Sequence, residues 1–243
     1  MNLAKKGNNP VITVGYFMKG VQLLGHAELR KFIVIPILIN IVLYSIALVL
    51  GYFYVDELIK QFIPLWLHWL SWLLWPLFFV SFMMIGFFTF TVVANLLAAP
   101  FYGQLSAKTL AIITGQPVAS VEQPIAKVMA AELKRSLYFI TRSLPLLILS
   151  FIPAFNVIAP VLWAVFGAWC MALEYMAYPL ENAGILFADQ QQLLKKVRLG
   201  ALSFGGVTVM GLTIPLLNII VAPVAVIGAT LYVHALQQDQ SAG

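Results

Sequence analysis

Four long stretches of this chain carry no formally charged side chain, residues 32–54, 61–107, 143–173 and 199–236, and their lengths limit the folds open to it. An α-helix crosses a hydrocarbon core of roughly 30 Å in about 20 residues. The first stretch has that length and predicts a span over 32–54. The second, drawn out as one helix, would reach on the order of 70 Å and must be divided. Within it Trp66, Trp69, Trp72 and Trp75 recur at every third position. Indole rings at that density belong to a membrane–water interface, where the ring is apolar and its N–H finds a partner. Pro76 then restarts the helix, and 77–99 is predicted as the second span. Only 9% of the residues are charged, 62% are hydrophobic and the mean hydropathy is +0.94, values that no water-soluble domain of this size tolerates on its surface. The chain reads as an all-α integral membrane protein.

The third and fourth stretches are each interrupted. Residues 152–161 read Ile-Pro-Ala-Phe-Asn-Val-Ile-Ala-Pro-Val, and residues 214–224 read Ile-Pro-Leu-Leu-Asn-Ile-Ile-Val-Ala-Pro-Val, the same pattern with one residue inserted. Each proline removes a backbone donor and clashes with the preceding turn, while the asparagine between them hydrogen-bonds locally in a turn. A helix should stop and restart at both places. Around the first break the uncharged arms are about 10 and 14 residues long, roughly 15 and 20 Å, short of the core thickness.

Sidedness follows from lysine and arginine. The N-terminus, the segment 108–142 and the cluster Lys195, Lys196, Arg198 are all basic, and should be cytoplasmic. Only the loop from Asp56 to Lys60 then faces outward, so each broken stretch begins and ends on one side. Two re-entrant helical hairpins, 143–173 and 199–236, meet that requirement. Two bent pairs of full spans meet it as well, and the arm lengths favour hairpins. Asn9 and Pro10 signal the start of an amphipathic helix over 11–26, predicted to lie in the interface, and 105–142 is predicted as a cytoplasmic helical segment. Both chain ends are expected in the cytoplasm.

Half-helices that meet inside a membrane expose backbone groups, which are tolerated only inside protein or along a wet cavity. Two such places in corresponding positions point to a transport path. Asn156 and Asn218 at the breaks, with local hydrogen bonding in the turn as the plain alternative, and Asn40 one turn into the first span, with a cross-helix hydrogen bond as its alternative, are the candidate lining residues. Helix N-termini restarting at Pro160 and Pro223 would favour an anion. A second anion signal is Leu29-Arg30-Lys31 before the first span, although charges there also snorkel to headgroups. Glu28 beside them repels an anion unless a neighbouring cation takes it. Glu174 leaves the first hairpin where Arg142 enters it, so a structural ion pair between the two is expected. Cys170 stands alone in an apolar run, which excludes an intramolecular disulfide and a thiolate metal site. No basic stripe suggests nucleic acid. No catalytic motif or metal-ligand spacing suggests an enzyme, and no cofactor is expected.

Along nearly its whole length the chain resembles the CysZ family of bacterial inner-membrane sulfate permeases. The resemblance rests on Gly15-Tyr16-Phe17, Leu29-Arg30-Lys31-Phe32 with Pro36 and Asn40, Ala98-Ala99-Pro100-Phe101, Ile152-Pro153, and Ala159-Pro160-Val161-Leu162-Trp163. It continues in Glu174-Tyr175, Tyr178-Pro179, Ile214-Pro215-Leu216-Leu217-Asn218, Pro223-Val224-Ala225-Val226 and Gly228-Ala229-Thr230. It implies uptake of sulfate, or of sulfite, to supply cysteine synthesis, re-entrant hairpins in the inner membrane and a homo-oligomer in the lipid bilayer. It also implies a sulfate site at Leu29, Arg30 and Lys31. The chain departs from the family pattern in three places: Glu28 stands for glycine, Lys31 for a second arginine, and Ala107 for an acidic residue. A channel for another small anion or solute, and a membrane scaffold without transport, are the rival readings.

Overall fold

The computed structural model describes residues 7–116, 124–153, 155–214 and 217–241. The N-terminal lysines Lys5 and Lys6, part of the turn at 115–117, and Ala154, Pro215 and Leu216 within the two breaks lie outside the described residues. All regular structure among the described residues is helical, and several helices are long and apolar enough to cross a membrane. This is a multi-pass membrane protein. It divides into two compact units, residues 33–99 and the remainder of the chain.

Helix α1 is Pro10–Leu23, and the Asn9 side chain accepts from the amides of Val11 and Ile12 at 3.0 and 3.4 Å. This is the cap that Asn-Pro announces. Its packed face is not its most hydrophobic one: Thr13, Phe17 and Gly20 are buried, while Val11, Met18 and Val21 are exposed. Small residues let helix backbones approach, and lipid accepts the larger apolar side chains.

Helix α2 is Ala27–Phe62 and α3 is Ser71–Thr114, with a 3-10 turn at Leu65–Leu70 between them. In the unit 33–99 they form an antiparallel hairpin. Tyr52 stacks on Trp75 with ring centroids 4.6 Å apart, and Asn40 donates to the Phe90 carbonyl at 2.8 Å. Its surface is lipid-like, with Leu38, Val42, Leu50, Val80 and Met83 exposed. The tryptophans Trp66, Trp69 and Trp72 are exposed at the 3-10 end. Division of the uncharged stretch therefore falls at 63–70, and α3 begins ahead of Pro76.

The other unit holds α4 (Ile125–Ser150), α5 (Ala159–Asn182), α6 (Phe187–Lys196), α7 (Arg198–Leu212) and α8 (Asn218–Ser241) together with α1. Its centre is α8, buried from Val221 to Ala229 and at Tyr232, which packs with α1, α5 and α7. Glycine allows helices to cross closely here. A Cβ on Gly205 of α7 would stand 1.8 Å from the Ala168 carbonyl oxygen of α5, and one on Gly20 of α1 would stand 2.7 Å from the Val224 carbonyl oxygen of α8. Phe204 closes the packing between Phe17 and Tyr232, with centroids at 5.8 and 6.5 Å.

Both breaks are helix ends. The first separates α4 from α5, with a short 3-10 turn at Phe155–Val157 and Pro160 in the first turn of α5. The second separates α7 from α8. Here α8 starts at Asn218 and carries Pro223 inside it, so the expected restart at Pro223 comes a turn and a half earlier. Pro223 is buried, and the packing around it holds the helix through the missing donor. The uncharged arms continue as parts of longer helices: α4 runs from the basic segment straight to Ser150, and α5 runs on past Glu174 to Asn182.

Candidate functional site

The first turns of α2 carry the expected anion residues. Leu29 is fully buried and anchors the turn, whereas Arg30 and Lys31 are exposed. Among the described residues neither cation has a carboxylate within salt-bridge distance, and the Lys31 ammonium stands 5.4 Å from the Phe32 ring centre. The amides of Leu29 and Arg30 both donate to the His26 carbonyl, at 3.0 and 3.2 Å, and the Glu28 amide donates to His26 Nδ1 at 3.4 Å. The backbone amides of Glu28, Leu29 and Arg30 are occupied, so an anion beside them would meet side-chain charge. Glu28 is paired with Lys108 of α3. Its negative charge is thereby compensated beside Arg30, and the pair uses a lysine one position from Ala107.

The three asparagines occupy different settings. Asn40 is fully buried in the α2–α3 hairpin; its amide group is bonded to the Phe90 carbonyl, while its Oδ1 has no partner among the described residues. Asn156 is exposed in the 3-10 turn of the first break, where its backbone N–H donates to the Ile152 carbonyl at 3.2 Å. Asn218 begins α8, and its backbone N–H donates to the Ile214 carbonyl at 3.1 Å. Around them the breaks are apolar: Phe151, Phe155, Val157, Ile158, Ile214 and Leu217 are all exposed.

The pair expected between Arg142 and Glu174 does not form; Glu174 faces Arg135 instead, at 3.9 Å. Register explains the change. Helices α4 and α5 run antiparallel, with Trp169 Nε1 donating to Tyr138 Oη and Trp163 Nε1 to Ser150 Oγ, each at 3.1 Å. Arg142 lies two turns beyond Arg135 towards the break, and its guanidinium sits 5.8 Å from the Tyr138 ring centre.

Arg135 is the residue that the sequence reading missed. Its side chain is 5% exposed and lies among three carboxylates. Nη1 donates to Glu132 at 2.7 Å, and Nη2 donates to Glu181 at 2.5 Å and to the Gln190 Oε1 at 3.1 Å. Gln190 Nε2 returns to Glu181 and to the Ile185 carbonyl, and the guanidinium sits 5.8 Å from the Phe187 ring centre. The turn that permits this ends α5 at Gly184, whose φ of +77° suits glycine. Burial pushes the Glu132 carboxyl above its usual range. Burial also opposes the charge on Arg135, but Glu181 and the other carboxylates outweigh it and hold the guanidinium protonated more firmly than usual. The only available signal was Glu132-Arg135 at i, i+3 and Glu174-Glu181 at i, i+7, spacings that put each pair on one helix face without saying that the faces meet.

Residues 16–223 match the family described as Sulfate transporter CysZ/Etoposide-induced protein 2.4. The chain is 41% identical over 226 residues to the sulfate transporter CysZ of Pseudomonas syringae pv. tomato, covering 89% of each. It is 38% identical over 229 residues to the sulfate transporter CysZ of Pseudomonas aeruginosa, covering 89% of this chain and 92% of the relative. To that of Pectobacterium atrosepticum it is 35% identical over 226 residues, covering 89% and 82%. Together with the helical membrane fold and the exposed cations that open α2, these matches show that the chain belongs to the Sulfate transporter CysZ/Etoposide-induced protein 2.4 family.

Proposed function

We propose that this protein takes up sulfate across the bacterial inner membrane, supplying sulfur for cysteine synthesis, without enzymatic activity or a prosthetic group. The observation that carries this reading is the similarity, over 89% of the chain, to relatives named as sulfate transporters. Arg30 and Lys31 recruit the dianion. Their support is exposure without a carboxylate partner among the described residues, next to a Glu28 already neutralised by Lys108. A dianion in bare hydrocarbon is prohibitively costly, so its route is polar and hydrated. Asn156 and Asn218 are the proposed lining residues at the breaks. Asn40 joins them through an Oδ1 that its hydrogen bond to Phe90 leaves open.

The broken stretches are re-entrant hairpins that enter from the cytoplasm, where both chain ends and the segment 105–142 also lie. Helix α5 is uncharged only from 159 to 173, about 22 Å, and Glu174 with the Arg135 cluster marks where it leaves the hydrocarbon. Met129, Leu133, Leu137, Ile140 and Leu144 form an exposed apolar stripe along α4, suited to lipid or to a second copy of the chain. The working unit is a homo-oligomer, and α1 lies along the interface through its exposed Val11, Met18 and Val21.

Purified protein in proteoliposomes should take up radiolabelled sulfate, with sulfite competing better than phosphate. Arg30→Ala should weaken sulfate binding by roughly tenfold or more, the value of a charge-assisted hydrogen bond. Unchanged affinity would sink the site assignment, and absence of any flux from the unaltered protein would favour a scaffold.

A further inference from the structure

Between α4, α5 and the junction of α6 with α7 lies a cavity of about 460 Å3 that sulfate recognition at α2 does not use. Its lining includes three cations, Arg142, Lys195 and Arg198, beside the apolar side chains Leu146, Leu162 and Phe166. No carboxylate lines it. Among the described residues none of the three cations has a carboxylate within salt-bridge distance: Arg142 lies against Tyr138, and Lys195 donates only to Gln191, at 3.1 Å. Three unneutralised cations in one recess call for a phosphate-type oxyanion. The apolar side chains call for more than a free ion.

The arrangement along the helices is directional. On α4, Arg142 precedes Leu146, and both lead towards the break after Ser150; on α5, Leu162 is nearer that break than Phe166. Arg142 therefore lies nearer the base of the hairpin than Leu146 and Leu162; Arg198 lies at that end too, since α7 runs antiparallel to α5, Gly205 meeting Ala172 and Val209 meeting Gly167. With the hairpin placed as proposed above, on which this step rests, these cations stand at headgroup level and Leu146 and Leu162 within the acyl region.

We propose that this cavity is a binding site for an anionic phospholipid, its phosphate held by Arg142, Lys195 and Arg198 and the start of an acyl chain laid along Leu146, Leu162 and Phe166. Basic recesses between membrane helices on the cytoplasmic side suit anionic headgroups. A zwitterionic lipid offers the same chain but places a quaternary ammonium among three cations. A free sulfate or inorganic phosphate satisfies the cations but leaves the apolar side chains unused.

Native mass spectrometry of the detergent-purified protein, delipidated and supplied with phosphatidylglycerol or phosphatidylcholine of identical chains, tests this without any flux measurement. Phosphatidylglycerol should be retained several-fold better. Arg142→Gln and Arg198→Gln should each lower that retention on the order of fivefold, whereas Lys196→Gln, outside the cavity lining, should not. Monodisperse elution of each variant checks its fold, and the two-lipid comparison needs no variant. Equal retention of the two lipids overturns the proposal, as does retention unaffected by both cavity variants. Displacement of phosphatidylglycerol by millimolar sulfate or phosphate would show a free-oxyanion site and also overturn it. Sulfate uptake and its loss in Arg30→Ala stand or fall separately.

Discussion

Arg135 shows how much one buried charge can govern. Removing it leaves Glu132, Glu174 and Glu181 facing one another with no cation, and breaking a buried charge cluster in this way costs about 3–5 kcal/mol. Arg135→Ala should therefore lower the unfolding temperature in detergent sharply, or prevent accumulation in the membrane. Glu132→Gln removes only the half-exposed member and relieves its burial cost, so scanning fluorimetry should find at most about 1 kcal/mol of change. At the opening of α2 the charges are exposed, and their effect should fall on the proposed sulfate site. Lys108→Ala leaves Glu28 uncompensated beside Arg30 and should weaken sulfate binding, while Glu28→Gln should strengthen it. Equilibrium binding of labelled sulfate decides both. That Arg30 and Lys31 open the first long apolar helix was legible in the sequence, because a basic pair beside an uncharged stretch is a local feature. The Arg135 cluster was not, because three helices must align before its members become neighbours.

The helices pack by small residues. In water the apolar face of a helix is the buried face, and that expectation fails for α1, whose Thr13, Phe17 and Gly20 face the protein while Val11 and Met18 do not. Lipid is as apolar as leucine, so close backbone approach selects the interface. Gly205→Val should therefore force α7 from α5 at Ala168 and cost about 1–3 kcal/mol or more, visible as a lowered unfolding temperature, whereas Gly103→Ala, with nothing near its Cβ position, should be tolerated. Prolines divide into those that end a helix and those that do not. Pro160 opens α5 as its position predicts, and Pro223 lies within α8 because the packing in which it is buried holds the helix together.

Membrane placement is a property of the whole molecule, and it turns on the two apolar breaks. With Cys170 replaced by alanine, single cysteines at Val157 and Leu217 should resist a membrane-impermeant maleimide added outside spheroplasts, and Lys60→Cys should react. That result is required of re-entrant hairpins. Full spans would bring both breaks to the outer surface and label all three positions. The sequence by itself determined what each segment could be: helical, apolar, broken at two matching places, or basic between the uncharged stretches. Charge content, proline and asparagine act locally, within a few residues, so these features were legible. Only the tertiary structure decided which faces meet, moved the partner of Glu174 from Arg142 to Arg135, and gathered Arg142, Lys195 and Arg198 around one cavity. Those outcomes depend on helix register, which is set by where glycine and alanine let backbones touch, a condition that belongs to pairs of helices and not to either one alone.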